Sequence, residues 1–216
     1  MIGRSSPDVK PRRAYDATRR REQARQSRHT VIETAERMFL RDGYSSTTVQ
    51  AIATAAGVSA DTIYKSFGGK PGLIRAIRDR ALEGEGPVPA EQRSDEIQQR
   101  EADPRTIINA WGRFVAELAP RASPILLLVR DAAASNPEVR ALEDELDADR
   151  LKRMTDNARR LRNGGHLRSG LSVANAADIL WTYSSPELYE LLVMRRGWTP
   201  KRYGAFVAEA MINALL

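Results

Sequence analysis

The chain has 216 residues, a net charge of +6 and no cysteine. This length can bury a sizeable core without metals or disulfides, and the lack of thiols excludes disulfide frameworks, thiolate nucleophiles and thiolate metal sites. The first residues are polar and basic, and no later run approaches the roughly 20 apolar residues that span a bilayer. We therefore expect a soluble intracellular protein.

The N-terminal segment concentrates the positive charge. Residues 1 to 28 hold nine basic and three acidic residues, so they account for the whole net charge of +6. A basic segment on a neutral body favours phosphates, of nucleic acid or of an anionic membrane surface. The membrane alternative lacks the large apolar face that a surface helix needs. For residues 1–24 we predict a basic, disordered arm.

Helical periodicity dominates the next fifty residues. The apolar residues of RHTVIETAERMFLRDG follow the i, i+3, i+4 spacing of one helix face, and Gly43 supplies a C-terminal stop. The stretch STTVQAIATAAG predicts a second, much shorter helix, which Thr47 caps and Gly57 ends.

A third short helix follows a glycine turn. Ser59 is its capping residue, and Ile63 is its only large apolar residue before Phe67. A long helix, a short helix, the turn AAGVS and another short helix form the pattern of a helix-turn-helix motif, whose second helix enters the DNA major groove. The pattern alone leaves open an antiparallel helix pair inside a bundle.

Three motifs in this region occur together. The first helix ends in F-x-x-x-G-Y, a helix and turn read T-T-V-x-x-I-A-x-x-A-G-V-S, and Tyr64-x-x-Phe67-x-x-Lys70 leads into a fourth helix. With these motifs, residues 30 to 77 resemble the DNA-binding region of the TetR family of bacterial transcriptional repressors. Residues 172 to 216 resemble, more weakly, the last two helices of one branch of that family.

The resemblance implies which side chains meet DNA. Thr47 and Thr48 match the start of the second helix, whose hydroxyl and N–H groups meet a phosphate, and a helix N-terminus favours an anion. Lys70 matches a lysine of the fourth helix that contacts phosphate. The recognition helix and its cap supply the other candidates, which are Ser59, Ala60, Asp61, Thr62, Tyr64, Lys65 and Ser66.

The recognition helix has few ordinary base readers. Residues 59 to 66 include no Arg, Asn or Gln, the residues that make bidentate contacts to guanine or adenine. Direct readout would depend on Thr62 at a base edge, Ala60 at a thymine methyl or Asp61 at a cytosine amino group, with DNA shape supplying the rest. Asp61 also suits an i, i+4 ion pair with Lys65, so it either supports Lys65 or selects a base.

The rest of the chain is predicted to form a helical body. EGEGPVPAEQRSD, at residues 83 to 95, is a polar loop rich in Gly and Pro. Asp103-Pro104, Ser123-Pro124 and Asn136-Pro137 each pair a capping residue with a proline, which predicts three helix starts. The fold class is all-α, with an N-terminal helix-turn-helix DNA-binding domain followed by a helical ligand-binding and dimerisation bundle. The predicted divisions are 1–24, 25–83 and 84–216.

The last helices are candidates for a subunit interface. Residues 203 to 214 carry an i, i+3, i+4 stripe, and the segment before them is apolar on more than one side, although Pro186 kinks or divides it. The resemblance implies that these helices pair with their copies in a twofold homodimer, which suits a near-palindromic DNA operator. The candidate interface residues are Leu180, Leu188, Leu191, Tyr203, Phe206, Val207, Ala210 and Met211.

The resemblance also implies that a small molecule in the helical body releases the dimer from its operator. The candidate wall residues are apolar or aromatic, and packed core is the alternative role for each. The sequence predicts neither the effector's identity nor any cofactor or metal. The candidates are Trp111, Phe114, Leu118, Leu128, Met154 and Trp181.

Two other functions compete with this one. The first is a helical DNA-binding regulator that responds to no small-molecule ligand. A helical enzyme would need reactive groups, but His29 and His166 form no metal or nucleophile motif, and the acidic run EDELDADR fits a solvated helix face. We therefore predict a cytoplasmic bacterial protein that is not an enzyme.

Overall fold

The computed structural model describes residues 12–86 and 88–216, with side chains from residue 19 onward. Over these residues the protein is all helical, as the sequence predicted. In chain order the elements are α1 (Arg12–Asp42), α2 (Val49–Ala56), α3 (Ala60–Phe67), α4 (Lys70–Glu83), α5 (Ala90–Arg100), α6 (Pro104–Ala133), α7 (Pro137–Asn163), α8 (Val173–Tyr183), α9 (Pro186–Tyr189), a π-helical turn (Glu190–Arg195) and α10 (Pro200–Leu215).

Local capping sets the helix-turn-helix geometry. The Thr48 hydroxyl accepts the N–H of Ala51 at 3.1 Å and starts α2. Gly57 ends α2 with φ of 69°, a left-handed conformation that glycine adopts without steric cost. The Ser59 hydroxyl then accepts the N–H of Thr62 at 3.0 Å and starts α3. The two short helices are therefore separated by a turn whose conformation the sequence specifies.

The basic N-terminal segment is helical where the structure describes it. α1 begins at Arg12, which differs from the disorder predicted for residues 1–24. The run RRAYDATRRREQARQ contains neither Gly nor Pro and is rich in Ala, Arg, Glu and Gln, which have high helix propensity. The prediction relied on charge and overlooked that propensity. Residues 1–11 lie outside the described residues.

Two predicted breaks in the body differ from the structure. The loop predicted for residues 83–95 ends earlier, because α5 already begins at Ala90 after Pro89. Ser123-Pro124 does not start a helix but lies inside α6. Pro124 removes one hydrogen-bond donor from α6, and the close packing of its buried residues, such as Ile125, offsets that loss.

The other two predicted helix starts are confirmed. The Asp103 carboxylate accepts the N–H groups of Arg105 and Thr106, each at 3.1 Å, and begins α6. The Asn136 side chain accepts the N–H of Glu138 at 3.0 Å and begins α7. Both starts combine a side-chain cap with proline in the first helical turn, as the sequence predicted.

Helices α6 and α10 cross at very short range. A Cβ atom at Gly112 on α6 would lie 2.5 Å from the carbonyl oxygen of Gly204 on α10. A side chain at this crossing would collide with backbone, which cannot move aside as a flexible side chain can. The paired glycines therefore allow α6 and α10 to pack backbone against backbone at this point.

The N-terminal helices share their core with the body. One buried cluster joins Phe39, Ile63 and Ile74 of the N-terminal helices to Val129 on α6 and Leu142 on α7. A second buried cluster lies among α6, α7, α8 and α10. Because interiors are close-packed, displacement of α6 or α7 is transmitted to the N-terminal helices. The predicted division at residues 83 and 84 thus separates segments that are packed together.

Half of the predicted interface residues belong to the chain's own core. One of these residues lies on α8 and three lie on the inward side of α10, so they cannot line a subunit contact in this conformation. Leu188 and Ala210 are half-buried, whereas Leu191 and Phe206 are exposed. The core residues are Leu180, Tyr203, Val207 and Met211.

Candidate nucleic-acid interface and ligand cavity

The outward face of α3 is polar and exposed. Ile63 is fully buried among the N-terminal helices, which turns Asp61 and Lys65 away from the protein. Their side chains are 70% and 75% exposed, and Lys65 Nζ lies 2.7 Å from Asp61 Oδ2, so the predicted i, i+4 ion pair is confirmed. Tyr64 and Ser66 are also exposed. The helix therefore presents hydroxyl and charged groups together on one accessible surface.

The start of α3 holds two more of the predicted DNA-facing hydroxyls. Ser59 Oγ lies 2.8 Å from Thr62 Oγ1 and also caps the helix. Both residues are exposed, and each hydroxyl oxygen has further hydrogen-bonding capacity. Ala60 is partly buried against the N-terminal core. A methyl contact from Ala60 to a thymine is thus limited to the part of the side chain that remains accessible.

Thr47 and Thr48 have different roles. Thr47 is 1% exposed, and its hydroxyl lies 2.8 Å from the Gly43 carbonyl oxygen and 3.3 Å from that of Met38. The predicted phosphate contact by the Thr47 hydroxyl is therefore wrong, because the end of α1 leaves carbonyls that this hydroxyl satisfies. Thr48 is exposed and is the actual cap of α2.

Lys70 begins α4 and is held against the protein. Its Nζ donates to the carbonyl of Tyr44 at 2.6 Å and to that of Thr47 at 3.0 Å, and it lies 4.1 Å from the centre of the Tyr44 ring. Burial lowers the pKa of Lys70 below its ordinary value. Two of the three ammonium protons bind backbone, so a contact with phosphate can use only the third.

Basic residues of α1 lie next to the end of α3 and along the preceding turns of α1. The Arg28 guanidinium carbon lies 4.4 Å from the centre of the Phe67 ring, and Nη1 donates to the Ser66 carbonyl at 3.4 Å. These contacts hold α1 beside the end of α3. The preceding turns of α1 carry exposed arginines, namely Arg19, Arg20, Arg21 and Arg25. The positive charge found in the sequence is thus carried on a helix anchored at α3.

A cavity of about 640 Å³ lies among α4, α5, α6, α7, α8 and α10. This volume is within the range of small-molecule sites. Leu128 packs against the N-terminal core instead, and Trp181 stacks with Arg150, whose guanidinium carbon lies 4.3 Å from a Trp181 ring centre. These two predictions are wrong, because each residue's helix turns it away from the cavity. The predicted residues that do line it are Trp111, Phe114, Leu118 and Met154.

The cavity has a charged rim and a neutral interior. Its buried polar residues are Ser94, Ser123, Asn157 and Tyr203, and none of them carries a charge at neutral pH. Three arginines also line it, and each is ion-paired. The pairs are Arg78 with Asp149 at 2.9 Å, Arg150 with Asp147 at 3.1 Å, and Arg153 with Asp95 at 2.6 Å.

Two ion pairs connect α7 to α4. Arg75 binds Glu145 through two hydrogen bonds of 2.6 and 2.5 Å, and Arg78 lies 2.9 Å from Asp149. The hydrogen bond from Arg75 lowers the pKa of Glu145. Arg78 and Asp149 also line the cavity. The cavity wall is therefore joined directly to the helix that begins at Lys70, beside the recognition helix.

The described residues offer little for other chemistry. No group of three or more potential metal-ligating side chains occurs among residues 12–86 and 88–216. Within the same part of the chain, every helix is too short or too polar to cross a bilayer. His29 Nδ1 lies 3.6 Å from Glu33 on α1, and His166 follows the end of α7, so the two histidines belong to different regions.

Comparisons with known proteins assign the N-terminal helices. Residues 31–77 match the family described as bacterial regulatory proteins, tetR family. Residues 31–77, which include α2, α3 and the start of α4, are therefore similar to that family. The HTH-type transcriptional regulator TtgR of Pseudomonas putida is 41% identical over 61 residues, which are 28% of this chain and 29% of TtgR. The match with this curated relative therefore spans less than a third of its length.

Solved structures share the fold over most of the chain. NalD, the secondary repressor of the MexAB-OprM multidrug efflux pump in Pseudomonas aeruginosa, has a TM-score of 0.68 at 20% identity and covers 90% of this chain and 98% of its own. The SmeT–triclosan complex has a TM-score of 0.67 at 22% identity, with coverages of 88% and 92%. At these identities the likeness shows the fold alone.

Three residues at these sites have roles that the sequence did not predict. Arg28 was counted as charge, and nothing in the sequence indicated its contact with Phe67. Tyr203 was assigned to a subunit interface, although it lines the cavity. Asn157 lies three residues after Met154 and four before Leu161, on the buried face of α7. A polar residue in that apolar series was the signal that could have identified it.

Proposed function

We propose that the protein is a TetR-type transcriptional repressor, which binds a near-palindromic DNA operator and is released by a small molecule in the cavity. The observation that carries the proposal is the exposed, capped α3, held by fully buried Ile63 within a segment that matches the DNA-binding region of the family. The repressor function of NalD belongs to that protein, and the shared fold supports the same role here.

The proposed DNA contacts divide into two kinds. The N-terminus of α2, capped by exposed Thr48, receives a phosphate through backbone N–H groups. The exposed side of α3 enters the major groove with Thr62, Tyr64, Lys65 and Ser66, and the basic part of α1 adds attraction to phosphates. Sequence preference then depends on α3 and DNA shape, whereas overall affinity depends on positive charge.

A homodimer supplies the second recognition helix. Leu191, Met194 and Phe206 are exposed apolar residues on the π-helical turn and α10, with exposed fractions of 52%, 56% and 38%. We assign this surface to the contact between subunits because exposed apolar side chains are stabilised when a second subunit covers them. In such a twofold dimer, two α3 helices about 34 Å apart would match successive major grooves. Leu188 and Ala210, which are half-buried, extend the same surface.

Release requires the ligand to favour the form that does not bind the operator. The ion pairs of Arg75 with Glu145 and of Arg78 with Asp149 join α4 to α7, and the second pair borders the cavity. A ligand that displaces the wall at Arg78 would shift α4 and with it α3. A coupling free energy of about 1–3 kcal/mol gives a 5- to 150-fold change in operator affinity.

The alternatives make different predictions. A regulator without an effector would bind DNA with an affinity that no cavity ligand changes. An enzyme would need converging reactive groups, and the buried polar residues of the cavity are two serines, an asparagine and a tyrosine without a histidine among them. We therefore propose a regulator that acts in the bacterial cytoplasm and is not an enzyme.

Titration of the protein on a duplex from its own upstream intergenic DNA tests this function. The measurement uses competitor DNA at two salt concentrations, and we expect a specific complex that weakens as salt rises. Tyr64→Phe removes one exposed hydroxyl from α3 and should weaken the complex severalfold. Tyr183→Phe, the same change on α8, is the matched control and should leave affinity unchanged. Absence of a specific complex at both salt concentrations would refute the repressor function.

A further inference from the structure

Tyr203 brings an unpaired hydroxyl to the cavity. The residue lies on α10, lines the cavity and is 1% exposed, with its ring edge-on to Tyr189 at a centroid distance of 5.5 Å. Among the described residues, two side-chain polar atoms are completely buried and have no hydrogen-bond partner, and they are Gln98 Oε1 and Trp181 Nε1. The Tyr203 hydroxyl also has no hydrogen-bond partner in the described part of the chain, but it is not completely buried. It therefore faces the cavity that Tyr203 lines.

Burial keeps this hydroxyl protonated. The pKa of Tyr203 is raised far above its ordinary value, first by burial and then by the neighbouring Tyr189. At neutral pH the group therefore has a proton to donate. Loss of that proton inside the cavity would leave a phenolate in an apolar surrounding, which is unfavourable.

Asn157, on α7, brings a second donor to the cavity wall. Gln98 Nε2 donates to the Ser94 carbonyl at 3.2 Å and to Asn157 Oδ1 at 3.3 Å. The Ser94 carbonyl can only accept, so Gln98 must present its NH₂ group, and Asn157 must present its oxygen to that group. Asn157 Nδ2 is left without a partner in the described part of the chain, and Asn157 lines the cavity.

The same network holds the donor in position. Trp111 Nε1 donates to Ser94 Oγ at 3.2 Å, and Gln98 Nε2 lies 3.3 Å from the same oxygen. Trp111, Ser94 and Asn157 all line the cavity. Because the indole, hydroxyl and two amides fix one another, Asn157 is oriented before any ligand arrives.

The interior of the cavity offers no free charge to an ionised ligand. Arg78, Arg150 and Arg153 are already paired with acids, whereas Glu83 and Lys152 are exposed at the rim. A carboxylate or ammonium group inside would lose its hydration and find no counter-charge without breaking one of these pairs. A carbonyl, ether or hydroxyl oxygen would instead satisfy the two vacant donors.

We propose that the cavity selects an electrically neutral, largely apolar molecule with a hydrogen-bond-accepting oxygen, to which Tyr203 and Asn157 donate. The inference rests on the proposed function in taking this cavity as the effector site. The aromatic and aliphatic wall, which includes Trp111, Phe114 and Met211, surrounds the apolar part of the ligand. The polar contacts set its orientation.

Equilibrium dialysis of the full chain without DNA tests the proposal with three probes. Benzophenone is neutral and has a carbonyl acceptor, diphenylmethane lacks the acceptor, and 4-benzoylbenzoate adds an anionic group. We expect benzophenone to bind about fivefold to tenfold more tightly than diphenylmethane, and 4-benzoylbenzoate to bind more weakly than benzophenone. Photochemical cross-linking by benzophenone, followed by mass spectrometry, should label residues of the cavity wall.

Single substitutions separate the hydrogen bonds from packing. Tyr203→Phe retains the ring and removes the donor, so it should reduce the advantage of benzophenone over diphenylmethane by about fivefold and leave diphenylmethane binding unchanged. Asn157→Leu, which has a similar volume, should also reduce that advantage. Tyr189→Phe is the matched control, because Tyr189 contacts Tyr203 but does not line the cavity, and it should change neither affinity.

Three results would overturn the proposal. They are tighter binding of 4-benzoylbenzoate than of benzophenone, an unchanged ratio in both Tyr203→Phe and Asn157→Leu, and no binding of any probe up to its solubility. The operator titration is independent of these results. A protein that binds benzophenone through Tyr203 but binds no operator would refute the proposed function and leave the ligand class intact.

Discussion

At the residue scale, Asp61 determines how α3 can meet a polyanion. Its carboxylate lies 2.7 Å from Lys65 Nζ, and both side chains are more than two-thirds exposed. Asp61 thus holds the Lys65 side chain on the outward face of α3 and offsets its positive charge, as the i, i+4 spacing predicted. Lys65 engages Asp61 Oδ2, so acceptance from a cytosine amino group would fall to Oδ1, whereas the contact with Lys65 is already formed. The structure therefore favours a supporting role.

Asp61→Asn tests that role. We expect the variant to bind every duplex a few times more tightly, because one negative charge is removed from the surface that faces phosphates. Titrations on a panel of duplexes with single base changes measure affinity and preference together. Asp144→Asn, an exposed aspartate on α7, makes the same charge change far from α3 and serves as the control. A changed base preference in Asp61→Asn would instead assign Asp61 to readout.

Substitutions at two lysines should have different effects, one on stability and the other on DNA binding. Lys70→Met removes two hydrogen bonds to the Tyr44 and Thr47 carbonyls, so we expect the free energy of unfolding to fall by about 1–3 kcal/mol. Lys65→Met should weaken the DNA complex and leave stability nearly unchanged, since its ion pair is exposed. Chemical denaturation of both variants makes the comparison. Equal stability of Lys70→Met and the natural protein would show that the ammonium group does not support the start of α4.

At the element scale, capping residues predicted the helices better than composition did. Ser59, Asp103 and Asn136 begin helices as expected, because each supplies an oxygen to N–H groups that the helix leaves free. Ser123-Pro124 has the same local pattern, yet the packing of α6 overrides it. The inward direction of Thr47 could not be predicted, since it depends on where α1 ends in three dimensions. The sequence predicted that the cavity wall is apolar, but it could not predict which of the apolar side chains point toward the cavity.

The basic part of α1 gives a prediction of its own. Combined substitution of Arg19, Arg21 and Arg25 by Gln should lower operator affinity at low salt. It should also reduce the slope of log K against log salt concentration by up to about three units, one for each arginine. Glutamine has a helix propensity similar to that of arginine, so the helix content by circular dichroism should not change. The matched control replaces three exposed arginines of the body, Arg100, Arg113 and Arg105. Equal effects of both sets would show that general charge, not α1, accounts for the change.

At the scale of the whole molecule, shared packing joins the recognition helix to the cavity. The N-terminal core includes residues of α6 and α7, and the ion pairs of Arg75 and Arg78 connect α4 to α7. The helix order and the all-helical class could be predicted from periodicity and caps. The shared core could not, because it depends on contacts between segments far apart in the chain. In the proposed release mechanism, this connection would carry a change at the cavity to the spacing of the two α3 helices of a dimer.

The proposed dimer belongs to the same scale. Leu191→Glu combined with Phe206→Glu places two charges on the exposed apolar surface, so we expect dimers to become monomers in sedimentation velocity. Leu151→Glu is the control, because Leu151 is also exposed but lies on α7. A dimer that survives the double substitution would place the subunit contact elsewhere.

Hydroxyl-radical footprinting of the chain's own upstream intergenic DNA tests the central claim most directly. A dimer that inserts two α3 helices should protect two short patches on one face of the duplex, centred about 34 Å apart. Tyr64→Phe should weaken both patches together, since each subunit presents the same helix. Two equally spaced patches that weaken together are the predicted result. A uniform footprint, or none at low salt, would contradict the account.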